Sequence, residues 1–462
     1  GGILLAFWLT GVLARSIPAL PATVAVDVSP DLRVLAAALV VAAITGIVFG
    51  LAPALRSARA DVMDALKRGG VRIGTRSRGR SAFVAAQFAM AVLLVVTGGL
   101  FVRSLRAALD TDVGFDPDGV VAATINLRPH GYEGDQIAAF WSDLLDRVRA
   151  VPGVENAGLA DWGLMFGPTN GSDVQSSEPG WTEQNRTNTR FNAVDPGWLD
   201  LMRVPIIGGR AFAVSDNESS PAVILVNETL ASRLWPDLDP IGRTIRFNAR
   251  DWEVVGLTRN GKYSTIGEQP TAMLFFPWAQ WRSSDATLHV RSGLGAGRLI
   301  EQLRVELAAI DPDIGLENAA PVPAMVGLSL FPQRFAAWLI GGFGVAGLIL
   351  AMIGVYGVLA FDVERNTREF GIRGALGART MQLVGAVVLH GLLVAAAGTV
   401  AGLLLAAGAT RFAGTFLYGV APLDPLTFGV AAALMLAVAA MAAIVPARRA
   451  SAIQPIEALR TD

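Results

Sequence analysis

Long apolar runs constrain this chain more than any other feature. Five stretches, at about residues 33–55, 82–102, 335–361, 383–410 and 426–446, carry no acid and no lysine inside their apolar bodies. About 20 helical residues cross the ~30 Å hydrocarbon layer of a bilayer, so each of the five is long enough to span it. Inside lipid every backbone amide needs a partner from the protein itself, and an unbroken apolar run meets that need as a helix. The composition agrees: 52% of the residues are hydrophobic and 17% charged, with a mean hydropathy of +0.47, too apolar for a water-soluble chain of 462 residues. The expected fold class is a multi-pass α-helical membrane protein. The apolar run Ile3–Leu13 is too short to span and lacks the basic front of a signal peptide. It reads as the tail of a helix, and with Gly1 in place of a start methionine the chain is expected to be a fragment.

Positive charge beside the runs fixes their orientation, because short translocated loops disfavour arginine and lysine. Residues 56–80 hold Arg56, Arg59, Lys67, Arg68, Arg72, Arg76, Arg78 and Arg80. Residues 364–379 hold Arg365, Arg368, Arg373 and Arg379, and the tail holds Arg448, Arg449 and Arg460. All three belong on the cytoplasmic side. Alternation then puts residues 107–330 and the short loop near 412–425 outside the cell. Arg103 and Arg106 at the outer end of their helix are exceptions that snorkelling to the headgroups accommodates. Small residues at helical spacing, Gly398 with Gly402, Gly342 with Ala346 and Gly347 with Ala351, are candidate points of close helix approach.

The extracytoplasmic domain reads as mixed α/β in two subdomains. Ile137, Phe140, Trp141, Leu144, Leu145 and Val148 recur at steps of three and four, which marks a helix with one apolar face. It lies between strand-like stretches at 119–127 and 154–160. The same β-α-β order returns at 286–291, 295–310 and 314–319, and the two copies are expected to pair into one subdomain. Between them, strands at Val223–Val226, Thr244–Phe247, Trp252–Leu257 and Ala272–Phe276 suggest a second.

Residues 31–67 and 424–460 repeat each other without gaps, with Asp31 on Asp424, Pro53 on Pro446, Arg56 on Arg449 and Asp64 on Glu457. Each copy reads as a spanning helix, a Pro-Ala exit, a basic patch and an acidic-Ala-Leu-basic end. Two copies of one membrane module are therefore expected, the first mostly absent.

Chemistry is hard to find in this pattern. Zero cysteines exclude disulfides and thiolate chemistry, and His130, His289 and His390 lie far apart, so neither a catalytic nor a metal site is expected. A net charge of −1 gives no reason to expect a nucleic-acid partner. Gly256–Tyr263, GLTRNGKY, has the Gly-x4-Gly-Lys of a phosphate loop but lacks the Ser or Thr that would hold magnesium. It is read as a turn that ends a strand, and no cofactor is assigned. Asp195, Asp216, Glu218, Glu228, Asp237 and Asp239 share no catalytic spacing. His390 is the ionisable residue well inside a span, expected as a neutral imidazole bonded to a neighbouring helix. Asp362–Leu383 mixes charge with Phe370, Ile372, Leu376 and Met381. It suits either an amphipathic helix docked in a partner's groove or lying on the membrane, or a basic anchor alone.

Several of these stretches resemble one family. Glu364-Arg365, Arg368-Glu369-Phe370-Gly371-Ile372-Arg373 and Ala375-Leu376-Gly377-Ala378-Arg379 resemble the inner loop of the FtsX-type, or MacB-type, permeases of ATP-binding-cassette (ABC) transporters. Pro455–Arg460 resembles the family's C-terminal ending. Gly208–Phe212, Val226–Ala231, Asp239–Gly242 and Val254–Gly256 resemble its periplasmic core. The repeat further resembles the duplicated orphan permeases. The resemblance implies residues 1–68 as the end of a first module, 69–81 as a cytoplasmic linker and 82–106 as a transmembrane helix. It implies 107–330 as a MacB-like periplasmic core domain and 331–462 as an FtsX-like domain with three transmembrane helices, in a bacterial inner membrane. It also implies a separate cytoplasmic ABC ATPase as partner, with membrane lipid around the helices and room for a periplasmic partner protein. The ATPase-coupling residues carried over are Glu364, Arg365, Arg368, Glu369, Arg373, Gly377 and Arg379. The function implied is export or extraction of a lipophilic or peptide-like substrate. The alternative is a regulator that activates a cell-envelope enzyme without moving cargo.

Overall fold

The computed structural model describes residues 75–165, 170–177, 186–281, 283–365, 380–414 and 417–451, with isolated positions in 33–47 and 367–376. Beyond those isolated positions, the apolar run at 33–55 and the first copy of the repeat lie outside the described residues. The described residues form two compact units, 110–331 and the pair 75–109 with 332–451.

The chain enters through α1 (Thr75–Leu109), and the unit that follows is built on β-strand pairing. It opens with β1 (Val120–Asn126), α2 (Asp135–Ala150) and β2 (Val154–Ala160). The middle contains β3 (Gly171–Ser176), β4 (Thr187–Val194), α3 (Trp198–Leu201), β5 (Ile206–Gly209), β6 (Val223–Asn227), α4 (Glu228–Leu234), β7 (Thr244–Phe247), β8 (Arg250–Thr258), β9 (Met273–Pro277) and α5 (Trp278–Trp281). The chain then returns with β10 (Asp285–Ser292), α6 (Ala296–Ile310), β11 (Glu317–Pro321) and α7 (Val322–Ser329).

The first and last segments pair as the repeated β-α-β order predicts. Strands run β11-β1-β10-β2, all antiparallel, with α2 and α6 as the two crossovers of a split βαβ layer. Phe140, Trp141, Leu144, Leu145 and Val148 of α2 meet Leu299, Leu303 and Leu307 of α6 over Val121, Leu159 and Leu288 of the sheet. That is the face the helical spacing marks. Burial of this apolar layer, at ~25 cal/mol per Å² of apolar area, stabilises the pairing of helices and sheet.

The middle segment forms a different body. The pairings β4-β3-β7-β8-β6-β9 close on themselves because β9 also pairs β4 in parallel, giving a six-stranded barrel with β5 attached to β8. Closure leaves no open edge in the ring. Phe191, Phe247, Trp252, Phe276 and Leu274 fill it, with Trp252 and Phe276 edge to face at 4.7 Å. The four anticipated strands are present, and β3, β4 and β5 are additions. A single ladder pair, Ala160 with Val194, continues the sheet from the split βαβ layer into the barrel.

The membrane unit consists of α1, α8 (Phe331–Arg365), α9 (Thr380–Ala413) and α10 (Pro425–Ser451). Each contains a segment long and apolar enough to cross a membrane. At ~1.5 Å per residue a helix of 35 residues, like α1, is about 52 Å long, so its ends pass beyond the hydrocarbon layer. One expectation changes here: Pro446 does not end its helix. α10 continues through it to Ser451, because Ala447 and Ala450 beyond the proline are buried in the same apolar cluster.

Candidate functional site

Packing in the membrane unit centres on α1, which both α9 and α10 contact. One small-residue pair explains the α9 contact, and a second brings α8 close as well. A methyl group on Gly398 would fall 2.6 Å from Phe88 Cβ, and one on Gly402 2.6 Å from Val92 Cβ, so α9 approaches α1 as only glycine permits. Gly347 of α8 approaches α1 less closely, with a methyl group there 3.3 Å from Ala91 Cβ, and Ala351 is fully buried. Gly342 has open space around it and takes no part.

Polar contacts clamp both ends of α1. Towards its start the Arg80 guanidinium lies 3.9 Å from the centre of the Phe361 ring on α8. Towards its end Arg103 pairs with Asp424, and the Ser104 hydroxyl accepts the Tyr418 amide at 2.7 Å. Asp424 also accepts the Thr427 amide at 2.8 Å, as the N-cap of α10.

The proposed coupling loop leaves from this bundle. Glu364 is exposed in the last turn of α8, where the Thr367 hydroxyl donates to its carbonyl at 2.7 Å. Arg373 is exposed. The Arg365 side chain and residues Arg368, Glu369, Gly377 and Arg379 lie outside the described residues. Within the loop the Leu376 amide donates to the Ile372 carbonyl at 3.0 Å, one helical turn. Ile372 is 42% and Leu376 82% exposed, so two apolar side chains share one outward face. At the roots of the loop, His390 Nε2 of α9 lies 3.4 Å from Asp362 Oδ2 of α8. The expected partner of His390 on a neighbouring helix is thus an acid. Gly391 packs on Leu359 beside it.

In the outer unit the stretches that resemble the periplasmic core prove to be architecture. Asn227 is the N-cap of α4: its Oδ1 accepts Leu230 N at 2.9 Å and Met273 N at 3.0 Å, and its Nδ2 donates to Thr271 O at 2.8 Å. Glu228 accepts Asn260 N at 2.9 Å. Arg210 forks onto Asp216 at 2.7 and 2.9 Å, which holds that carboxyl below the usual carboxylate range. Asp239 accepts Ile241 N at 3.0 Å in a turn completed by Gly242 at φ +80°. Gly256 of β8 admits the chain that leaves β5, because a methyl group there would collide with the Arg210 carbonyl and also fall 2.6 Å from Leu225 Cδ2 of β6. Lys262, in the phosphate-loop look-alike, donates to Glu268 O at 2.6 Å, and no helix follows it. This segment is a turn after β8.

One concave site does appear. Between α2 of the split βαβ layer and the segments 217–219 and 278–279, a groove of about 550 Å³ is lined by Ile137, Trp141, Leu145, Leu159, Asp195 and Trp278, with Glu218 at the same site. Its walls are mostly apolar. Asp195 is 93% buried, given 7% exposure. It accepts the Leu159 amide at 3.1 Å and sits 3.3 Å from Arg149 of α2. Burial pushes its carboxyl up to about 6, against the opposing pull of those contacts. Trp141 is buried, and its indole N–H meets no acceptor among the described residues. The sequence pattern places Trp141 on a core face and leaves Asp195 and Glu218 as unrelated loop acids. Their convergence is a product of the tertiary fold, with no local signal. Among the described residues no three acid or histidine side chains converge as a metal set.

Comparison with known proteins bears on this geometry. Residues 81–310 match the family model of the MacB-like periplasmic core domain, and 341–455 that of the FtsX-like permease C-terminal part. A macrolide export ATP-binding/permease protein, MacB of Marinobacter nauticus, is 27% identical over 289 residues, covering 61% of this chain and 43% of that one. An ABC transporter permease of Bacillus subtilis, YvrN, is 25% identical over 285 residues, covering 58% of this chain and 69% of that one. This chain thus spans less than half the length of the MacB relative. The periplasmic region of MacB from Actinobacillus actinomycetemcomitans aligns at TM-score 0.31 and 14% identity over 46% of this chain and 93% of its own.

Proposed function

The chain belongs to the MacB/FtsX-like family of ABC transporter permeases, and from that premise we propose that it transmits movement from a separate cytoplasmic ATPase to its outer domain. The cargo is a lipophilic or peptide-like molecule that is exported or extracted. In this reading residues 107–330 lie outside a bacterial inner membrane, and the exposed apolar side chains of α8, such as Trp338, Phe343 and Ile349, face lipid. Residues 1–68 end a first copy of the permease module, and a periplasmic protein is a further partner. ATP is hydrolysed by the partner: this chain supplies a docking loop and no phosphate loop.

The observation that carries the reading is the loop face made by Ile372 and Leu376. Two large apolar side chains one turn apart and open to solvent, flanked by Glu369 and Arg373, suit a protein groove better than water. α1 and α8, clamped to each other through Arg80 and Phe361, then carry movement of the loop along the chain into the outer domain. Burying such a pair is worth about 2–4 kcal/mol, or a factor of roughly thirty to a thousand in affinity.

The test is co-purification of the full-length protein with candidate ATPases, with Leu376→Asp and the pair Glu369→Lys and Arg373→Glu. Association is expected to fall at least tenfold, together with ATPase activity coupled to the permease. Unchanged association and unchanged coupled activity in all variants would overturn the coupling role.

A further inference from the structure

The turn after β8 that imitates a phosphate loop receives the segment that leaves α1. Lys262 N donates to Val113 O at 2.8 Å. The two chains cross backbone to backbone, since a methyl group on Gly114 would fall 2.6 Å from both Asn260 O and Gly261 Cα. Gly114 also has φ +81°, a conformation that residues with side chains rarely adopt. The turn is a firm seat. Asn260 N donates to Glu228 at 2.9 Å, and Asn260 Oδ1 accepts Thr229 N at 3.0 Å, which ties the turn to the start of α4 in the barrel segment.

Further along, the same segment is tied to the split βαβ layer. Arg291 of β10, which is buried, donates to Asp116 O at 2.8 Å and to Asp118 O, and Ser292 N donates to Gly119 O at 2.9 Å. We propose that residues 112–119 form a strap that fastens the layer to the barrel, seated on the barrel at 260–262 and on the layer at Arg291.

Three features make this a fastening and not a plain linker. The strands of the two halves share one ladder pair among the described residues, Ala160 with Val194, so the strap adds a second backbone tie across the same junction. Its polar ties are unequal. On the barrel it has one backbone hydrogen bond and the Asp112–Arg259 pair at 3.5 Å, which is mostly exposed and screened by water. On the layer it has the bonds of a buried guanidinium, which also donates to Leu201 O at 2.9 Å. The barrel end is therefore the end that lets go when the halves part. The strap is also close to its source, because the four residues from Leu109 of α1 to Val113 reach at most about 14 Å. That movement of α1 works the strap rests on the permease reading; that the strap holds the halves together does not.

The experiment uses the full chain in lipid nanodiscs, without ATPase or nucleotide, so its outcome is independent of coupling. Because the chain has no cysteine, Leu238→Cys in the barrel segment and Val305→Cys on α6, both exposed positions, take two spin labels selectively. Pulsed electron resonance reads the distance between the halves, and hydrogen exchange at the Lys262 amide reads whether the strap is seated. The wild type is expected to show a protected Lys262 amide and one narrow distance peak. Gly114→Val should unseat the strap, with Lys262 exchange at least tenfold faster and a distance distribution at least twice as wide. Gly261→Ala, whose methyl group would fall 3.2 Å from Val113 O, should change both in the same direction by less, and it carries the test if Gly114→Val does not fold. The Leu230 and Met273 amides, bonded to Asn227 inside the barrel segment, should stay protected throughout. Free exchange at Lys262 in the wild type, unchanged Lys262 exchange in every folded variant, or faster Lys262 exchange with an unchanged distance distribution overturns the strap. Loss of protection at Leu230 and Met273 in Gly261→Ala also overturns it, since the segment would then be part of the barrel's own core.

Discussion

Asp195→Asn should stabilise the outer unit at neutral pH, and the gain should shrink in acid. In the folded chain burial raises the Asp195 carboxyl from 3.8 to about 6. Between those values the folded state holds its proton more tightly than the unfolded state. Stability therefore falls as pH rises through the window, and the penalty is complete above about pH 6. At ~1.4 kcal/mol per pKa unit the penalty is about 3 kcal/mol at pH 8 and about 1 kcal/mol at pH 4.5. Asparagine keeps an oxygen for the Leu159 amide and removes the charge. Its lost contact with Arg149 weighs little, because that side chain is 42% exposed and its contact is screened by water. His289 hides the effect in the wild type. Burial lowers it to about 4, so stability is lost as pH falls from 6.5 through 4, opposite to the change at Asp195. The difference between variant and wild type isolates the carboxylate. Thermal unfolding followed by tryptophan fluorescence should show the variant higher by about 6–12 °C at pH 8, and by about a third of that at pH 4.5. A variant less stable than the wild type at pH 8, or an offset that does not shrink in acid, refutes the argument.

Two further outcomes follow from packing. Gly402→Leu should lower the thermal stability of the membrane unit by about 1–3 kcal/mol or more, because α9 cannot retreat from Val92, whereas Gly342→Leu should be neutral because it faces open space. Size-exclusion chromatography after heating in detergent compares the two, and equal losses would refute the assignment of α1–α9 contact. Asn227→Ala removes the acceptor of two buried amides, Leu230 N and Met273 N, and should destabilise the outer unit by about 2–4 kcal/mol; urea unfolding monitored by fluorescence with a change below 1 kcal/mol would contradict the capping role.

Local repetition made part of this fold legible. Spans show as runs with no acid or lysine, and α2 and α6 as apolar positions at helical spacing, because burial on one face of a helix writes its period into the sequence. β3 could not be seen that way. Its residues GSDVQS bury Val174 and Ser176 inside a barrel, and its order comes from β4 and β7 on either side. The stretches that resemble the periplasmic core were visible because turns, caps and close backbone approaches demand particular residues at fixed spacing, as at Asn227, Asp239 and Gly256.

That same reason explains why the groove was not visible. Asp195, Glu218, Trp141 and Trp278 come from four separate segments, and no spacing rule connects residues that the fold alone gathers. The Asp362–His390 pair is similar: each residue is ordinary in its own helix, and the acid directly follows the conspicuous apolar run 335–361. In both places, recognisable sequence marks the scaffold, and the groups that converge across segments sit between the recognisable parts.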